Sequence, residues 1–292
     1  MPQLEAIRQG FYSYPIITPR MASLKTLSSI FKTTSNFWVV PTLRWSGGKK
    51  RVVFRNGFKM ELNWSDYTIL RDIFSAGYSV ECYSGMLCFT KNNIKIVGAL
   101  PDVKVLSEDT HDFNSIDFRN KVVLDVGGFI GDTAVLFSAM GAKKVIIYEP
   151  VLAHHELIKI NTMLNGVNAE IHEEGLGETD GYATVHYEKA GIDFGLGNCG
   201  TQEMKMKIRS AQHIIEDSGA EIAKFDCEGA EINLVNVPDD VLRKMSFYVI
   251  EVHSTEIRRA ISTKFRNCGF DLVKDVPNTA GPSYSVLFFK RV

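Results

Sequence analysis

Three carboxylates fall within six residues in the run Lys224-Phe225-Asp226-Cys227-Glu228-Gly229-Ala230-Glu231. The apolar stretch 222–226 ends in an acid and opens onto a helical pattern, so these carboxylates sit where a strand hands over to a helix. Ligands of open α/β sheets lie beyond the carboxyl ends of the strands, which puts Asp226 at a cleft. Glu228 and Glu231, a helical turn apart at this spacing, are expected to face one side of the cleft; for Glu231, compensation of the helix dipole is an equal alternative. His253 closes a later apolar run beside Glu251. Its imidazole is the side chain whose ordinary pKa suits proton transfer near neutral pH, although a histidine in that place can also be a structural hydrogen-bonder. Asp226, Glu228 and His253 are the candidate acid–base groups, and the sequence does not rank them.

A second constellation lies upstream. Val122-Val123-Leu124-Asp125-Val126-Gly127-Gly128-Phe129-Ile130-Gly131-Asp132-Thr133 reads as a strand, a tight turn on three glycines, and a helix N-terminus favoured by Asp132 and Thr133. This is where an α/β protein holds a nucleotide-like cofactor. Asp125 stands just before the turn, where a carboxylate would repel a pyrophosphate and suits an ammonium group. The loop thus favours S-adenosylmethionine over NAD. It completes neither G-x-G-x-x-G, for which Val126 replaces the first glycine, nor D-x-G-x-G-x-G, for which Phe129 replaces the middle one. Glu149, 18 residues beyond Gly131, ends the next strand and can accept both hydroxyls of an adenosine ribose, and Pro150 can start the next helix without wasting an N–H. An acid favoured near a helix N-terminus is the plainer explanation, and NAD enzymes use such an acid in the same way.

The elements that must position these residues follow from the hydrophobic pattern. Strands are expected at 122–126, 144–149, 170–174, 222–226, 247–252, 270–274 and 286–290, and helices at 131–140, 151–164, 229–236 and 254–267. Alternation of this kind implies βαβ units and a mainly parallel sheet covered on both faces. Between the last two strands, 275–285 carries two prolines and no helical pattern, so they should pair as an antiparallel hairpin. That ending separates methyltransferase sheets from the dinucleotide-binding fold. The segment 191–200, with four glycines, is a candidate lid or an exposed loop.

Upstream of about 118 the pattern is that of a small α+β unit. A short helix is expected near 22–31 and a loop at 41–48. Asn56-Gly57 between apolar alternations signals a hairpin with a type I′ turn. Ser65 or Asp66 would cap a helix whose apolar face holds Ile69, Leu70, Ile73 and Phe74 and which Gly77 ends. Strands at 86–90 and 94–97 flank a turn at Lys91-Asn92-Asn93, and 109–120 reads as a boundary. Two domains are therefore expected, 1–117 and 118–292, the first helping to shape the substrate site.

The set Val122 to Asp132, then Tyr148-Glu149-Pro150, then Asp226-Cys227-Glu228-Gly229-Ala230-Glu231, then Ile250-Glu251-Val252-His253 resembles the FkbM family of S-adenosylmethionine-dependent methyltransferases. The resemblance covers about 120–255. Gly128 and Phe129 depart from the family's usual Ala-Asn, and Gly175-Leu176-Gly177 from its Ala-hydrophobic-small sequence near the adenine. The resemblance implies an α/β class I methyltransferase (Rossmann-like) fold and transfer of a methyl group to a hydroxyl of a sugar, glycan or secondary metabolite. On that reading Asp125 and the loop residues Gly127, Gly128, Phe129, Gly131, Asp132 and Thr133 hold the methionine part of the cofactor, with Asp226 close to the transferred methyl. Glu149 holds the ribose, and Leu176 lines the adenine pocket.

Composition narrows the rest. The 292 residues carry 33 basic and 34 acidic side chains, so no bulk field argues for nucleic acid or an anionic membrane, although a local patch could. The five cysteines form no Cys-x-x-Cys pair, which implies reduced thiols. No apolar run reaches membrane-span length and the first twenty residues lack a secretory pattern, so a cytoplasmic protein is expected, possible as a homo-oligomer. His154-His155 has no partner at ligand spacing, and no metal is assigned; a metal held by Asp226 and Glu228 stays open. Two rivals remain: an NAD(P)-dependent oxidoreductase, and a non-catalytic protein that keeps the cofactor fold, which Phe129 keeps alive.

Overall fold

The computed structural model describes residues 24–83, 86–107, 113–187, 202–277 and 284–292. The N-terminal part runs α1 (Leu24–Thr33), α2 (Val40–Ser46), β1 (Lys50–Val53), β2 (Lys59–Leu62), α3 (Trp64–Ser75), β3 (Ser79–Tyr83), β4 (Met86–Lys91) and β5 (Ile94–Gly98), followed by a 3-10 helix Asp102–Ser107. Then come β6 (Val122–Val126), α4 (Asp132–Ala139), β7 (Lys144–Tyr148), α5 (Leu152–Leu164), β8 (Ala169–His172), β9 (Gly175–Gly177), β10 (Gly181–Tyr187), β11 (Gln202–Ser210) and α6 (Ala211–Ser218). The chain ends with β12 (Ile222–Phe225), a 3-10 helix Ala230–Asn236, α7 (Asp239–Leu242), β13 (Phe247–Val252), α8 (Thr255–Asn267), β14 (Phe270–Pro277) and β15 (Ser285–Arg291).

The central sheet has seven strands in the order β14-β15-β13-β12-β6-β7-β8. The strands β13, β12, β6, β7 and β8 pair in parallel, and β15 runs antiparallel to both its neighbours. The expected hairpin is therefore present, with β15 inserted between β13 and β14. Along β6, Leu124 and Val126 face a core shared with α6 and α8, whereas Val123 faces one shared with α4 and α5. Side chains of successive residues leave opposite faces of a strand, so each near-continuous apolar strand feeds both layers. Asp125 falls on the α4/α5 side, in register with Lys224 of the adjacent β12.

Several local expectations are corrected. The segment expected as a loop at 41–48 is largely α2, because Pro41 occupies its first turn, where a missing N–H costs nothing. Asn63, not Ser65 or Asp66, caps α3 by accepting the Asp66 N–H at 2.8 Å. The turn at Asn56-Gly57 is not type I′: only Gly57 has a positive φ, 89°, and the Phe54 N–H reaches the Phe58 carbonyl, which is a three-residue loop with a glycine bulge. The type I′ geometry occurs instead at Asn92-Asn93, φ 50° and 67°, between the paired ends of β4 and β5. The helix at 229–236 is 3-10 throughout. Pattern reading missed β3, α7 and the whole ribbon β9-β11-β10 with α6, which fills the connection after β8. The glycine-rich 191–200 lies outside the described residues.

The N-terminal unit shares its core with the sheet domain. Val52, Phe54, Leu62, Tyr67, Leu70, Phe89 and Ile96 pack in one cluster with Ile130 and Val135 of the glycine loop and α4. Phe113, Ile116 and Phe118, from the expected boundary, are buried with Phe137 and Phe288. No helix among the described residues is long and apolar enough to cross a membrane.

Candidate active site

At the carboxyl ends of β6, β7 and β12 a cleft opens, lined by Gly127, Phe129, Asp132, Thr133, Glu149, Leu176, Asp226 and Glu228 among the expected site residues. The loop Gly127–Gly131 that forms its floor is held by the Tyr148 carbonyl, which accepts the Gly127 N–H at 2.8 Å and the Gly128 N–H at 3.2 Å. Gly127 has φ 82°, and a Cβ there would run into the carbonyl oxygen of Asp226, so only glycine allows the two strand ends to approach this closely. Phe129 occupies the left-handed region at φ 46°, a conformation that asparagine adopts readily and phenylalanine does not. Its ring meets His154 edge-on, with centroids 4.7 Å apart.

Glu149 is buried, and its carboxylate ties the loop to the next helix. It accepts the Phe129 N–H at 2.9 Å, the Val151 N–H at 2.9 Å and a contact from His154 Nδ1 at 3.1 Å. A carboxylate has about four acceptor positions, so roughly one stays open to the cleft.

Asp125 is placed differently from expectation. It is fully buried under the loop, outside the cleft lining, with Thr133 Oγ1 donating to it at 2.6 Å and Lys224 Nζ at 3.5 Å. In this structure its carboxylate meets Thr133 at the start of α4 and Lys224 of β12. Burial holds its carboxyl above the usual range, against the opposing pull of Lys224 and Thr133. Gly128 and Gly131 are likewise outside the lining.

Lys224, quoted in the motif but given no role by the sequence, is the cation of the site. Its ammonium lies 3.3 Å from Asp226, 3.5 Å from Asp125 and 3.3 Å from the Gly127 carbonyl oxygen. Burial opposes its charge, but the carboxylates of Asp226, Asp125, Asp132 and Glu251 outweigh that and raise its pKa. Asp132 faces the cleft at the start of α4; burial raises its carboxyl to about 6, against the pull of Lys224.

Beyond β12 the chain turns sharply through Glu228, φ 51°, and Gly229, φ 104°. Glu231 is wholly buried and folds back on this turn, accepting the Cys227 and Gly229 N–H groups. Of the two, Glu228 is half-exposed and lines the cleft, whereas Glu231 is buried beneath the turn and does not. His253, at the end of β13, is brought to both: Nδ1 is 3.4 Å from Glu231, and Nε2 is 3.5 Å from Glu228 and 3.8 Å from Asp226. Burial disfavours its charge, but Glu231, Glu228 and Asp226 prevail and lift its pKa to about 9. The three carboxylates around it favour the imidazolium form. One ligand atom each from Asp226, Glu231 and His253 fall within 4.8 Å of one another. A metal there would compete with a proton for the His253 imidazole.

The sequence also missed the apolar wall opposite the loop, formed by Met206 and Ile208 of β11 with Tyr148 and, from the N-terminal unit, Val105. The alternation Met204-Lys205-Met206-Lys207-Ile208-Arg209 was the available signal.

No protein-family model and no curated protein matches the chain. Among solved structures it is similar to the ribosomal protein L11 methylase of Lactobacillus delbrueckii subsp. bulgaricus, at 13% identity and a TM-score of 0.37, covering 61% of this chain and 73% of that one. It is also similar to a precorrin-6y C5,15-methyltransferase of Geobacter metallireducens, at 10% identity and a TM-score of 0.40, covering 60% and 81%. A protein of the NADB-Rossmann superfamily from Streptococcus agalactiae matches at 15% identity and a TM-score of 0.39, covering 61% and 64%. The strand order decides the fold, because the dinucleotide-binding sheet continues in parallel to its edge, whereas here an antiparallel strand enters before the last. The fold is that of the class I methyltransferases.

Proposed function

We propose that this chain transfers the methyl group of S-adenosylmethionine to an acceptor, of the kind its FkbM resemblance implies: a hydroxyl on a sugar, a glycan or another small molecule. The observation that carries this reading is the charge of the cleft. Among the described residues, five carboxylates line it, Asp132, Glu149, Glu174, Asp226 and Glu228, against one ammonium, Lys224, which is already paired with two acids, and the imidazole of His154. Such a lining suits a ligand with ammonium and sulfonium charges and opposes a pyrophosphate.

The residues divide the work as follows. Asp132 and Asp226 face the cationic end of the cofactor, in the place first given to Asp125. Glu149 takes the ribose diol; it has roughly one open acceptor position, so His154 or the Phe129 N–H must yield one when the ligand enters. Leu176, Met206 and Ile208 enclose the base. When bound, the cofactor supplies an already activated methyl donor, so the protein's task is alignment. His253, charged and held by Glu231, orients Asp226 and Glu228 from behind. A hydroxyl oxygen becomes strongly acidic as it gains a methyl group, so a carboxylate suffices to collect its proton, and Asp226 or Glu228 is better placed for that than a protonated imidazole.

Calorimetric titration with S-adenosylmethionine, S-adenosylhomocysteine and NAD tests the reading. Binding of both sulfur compounds is expected, weakened about ten- to hundredfold in Glu149→Gln, where charge-assisted bonds to the ribose are lost. Binding of NAD alone would refute it. Transfer of labelled methyl to hydroxylated glycans then tests the acceptor class.

A further inference from the structure

The surface formed by α1, the turn after it, α2 and β1 has no part in the cleft, and its composition departs from that of the whole chain. Between residues 26 and 60 there are seven basic side chains and no acid, in a protein whose formal net charge is -1. All seven, Lys32, Arg44, Arg55, Lys59 and the run Lys49-Lys50-Arg51, are exposed, and none is ion-paired among the described residues. The same surface exposes large apolar groups. Trp38 is 65% and Trp45 84% exposed, and Leu27, Phe31 and Phe37 are also open to solvent. Isolated exposed apolar residues are ordinary, but a contiguous set rimmed by charge marks an interaction face.

Geometry ties the two sets together. Trp38, Pro41 and Trp45 recur at helical spacing on the outer side of the segment whose inner side buries Val40 and Leu43. Leu27 and Phe31 repeat four apart on α1. The Phe31 ring lies 4.7 Å from Phe37, which lies 5.6 Å from Trp38. The loop between the helices is stitched to β1: Asn36 donates to the Arg51 carbonyl at 3.0 Å and accepts the Val53 N–H at 2.8 Å. Arg55 donates to the Phe31 carbonyl at 2.7 Å. The cations therefore frame the apolar stripe.

We propose that this face docks the protein peripherally on an anionic bilayer, with Trp38 and Trp45 entering the headgroup boundary and the surrounding Lys and Arg side chains meeting acidic lipids. Tryptophan and basic residues on a short amphipathic helix are the chemistry of such contacts. Single-stranded nucleic acid, the other polyanion, is less suited. It needs separate aromatic platforms for stacking, whereas these rings pack partly on one another and share the stripe with Leu27 and Pro41. The docking does not depend on the methyl-transfer reading.

The test uses the full chain with vesicles of phosphatidylcholine alone or with about one third phosphatidylserine, read by co-sedimentation and tryptophan emission. Binding to the acidic vesicles only, a blue shift of emission, and weakening as salt rises are expected. Each basic group near such a surface is worth about a fivefold change in affinity, so the triple substitution K49Q/K50Q/R51Q should weaken binding roughly a hundredfold. Trp45→Ser should reduce the blue shift, with the thermal melt confirming that both variants fold. Absence of binding, equal binding to neutral vesicles, or tighter binding of a single-stranded RNA lost in the same variants would each overturn the proposal. So would tryptophans already shielded from acrylamide without lipid, which would mean that the chain itself covers the face.

Discussion

Replacing His253 with glutamine tests the charge at the centre of the site. The imidazole rises from 6.5 to about 9 on folding, which corresponds to roughly 3 kcal/mol of preference for the protonated form. The folded chain binds this proton more tightly than the unfolded one, so the full contribution is present below about pH 6.5. Between 6.5 and about 9 the unfolded chain has released its proton and the folded chain has not. The contribution therefore drains as pH rises, by up to ~1.4 kcal/mol per pH unit, and is gone above about pH 9. Urea unfolding of wild type and His253→Gln at about pH 6, 7.5 and 9.5 should show a stability difference that shrinks by roughly 3 kcal/mol across the series. Other groups whose titration shifts on folding, such as Cys268, whose thiol burial lifts from 9.0 to about 11, are common to both proteins and cancel. Parallel stability profiles, or an imidazole resonance titrating near 6.5, would refute the charged assignment and return His253 to the role of base.

Three further outcomes are expected. Gly127→Ala should lower the unfolding temperature by several degrees, for roughly 2–4 kcal/mol, because its Cβ meets the Asp226 carbonyl at a positive φ; an unchanged melt would mean that the loop can lift away. Lys224→Met should cost about 3–5 kcal/mol by leaving Asp125 buried without its cation, and adding Asp125→Asn should restore much of it in denaturant titration. S-adenosylmethionine affinity should rise from pH 5 to 7 as Asp132, at about 6, ionises towards the cationic ligand. A flat calorimetric profile, or one unaltered in Asp132→Asn, would remove Asp132 from the binding site.

What could be read in the sequence was what is local. The strands β6 and β13 fall on their expected bounds because a buried parallel strand is an uninterrupted apolar run, and such a run has clear ends. The antiparallel ending was legible because prolines and glycines leave no room for a crossover helix. Side-chain depth was not legible. Asp125 looks like a ligand group in the linear motif, and only the register that sets Lys224 beside it shows that its partner is internal. Glu231 likewise reads as a helical neighbour of Glu228 until the positive φ of Glu228 and Gly229 reverses the chain. The ribbon β9-β11-β10 was missed because β9 is only three residues long and β11 alternates lysine with methionine, although that alternation in β11 supplies Met206 and Ile208 to the apolar wall of the cleft.

Asn161 on α5 is buried between the two parts of the molecule. Its amide donates to the carbonyls of Val97 and Ile130 and accepts the Val97 N–H, so one side chain pins the edge of β5 to the glycine loop. The loop's stiffness is thus on loan from outside the sheet domain. A chimera joined at residue 118 would inherit the cleft-lining groups of the sheet domain and still hold them on a slack hinge. Exchanging the N-terminal unit between related proteins would therefore transplant grip on the cofactor together with whatever acceptor preference that unit confers.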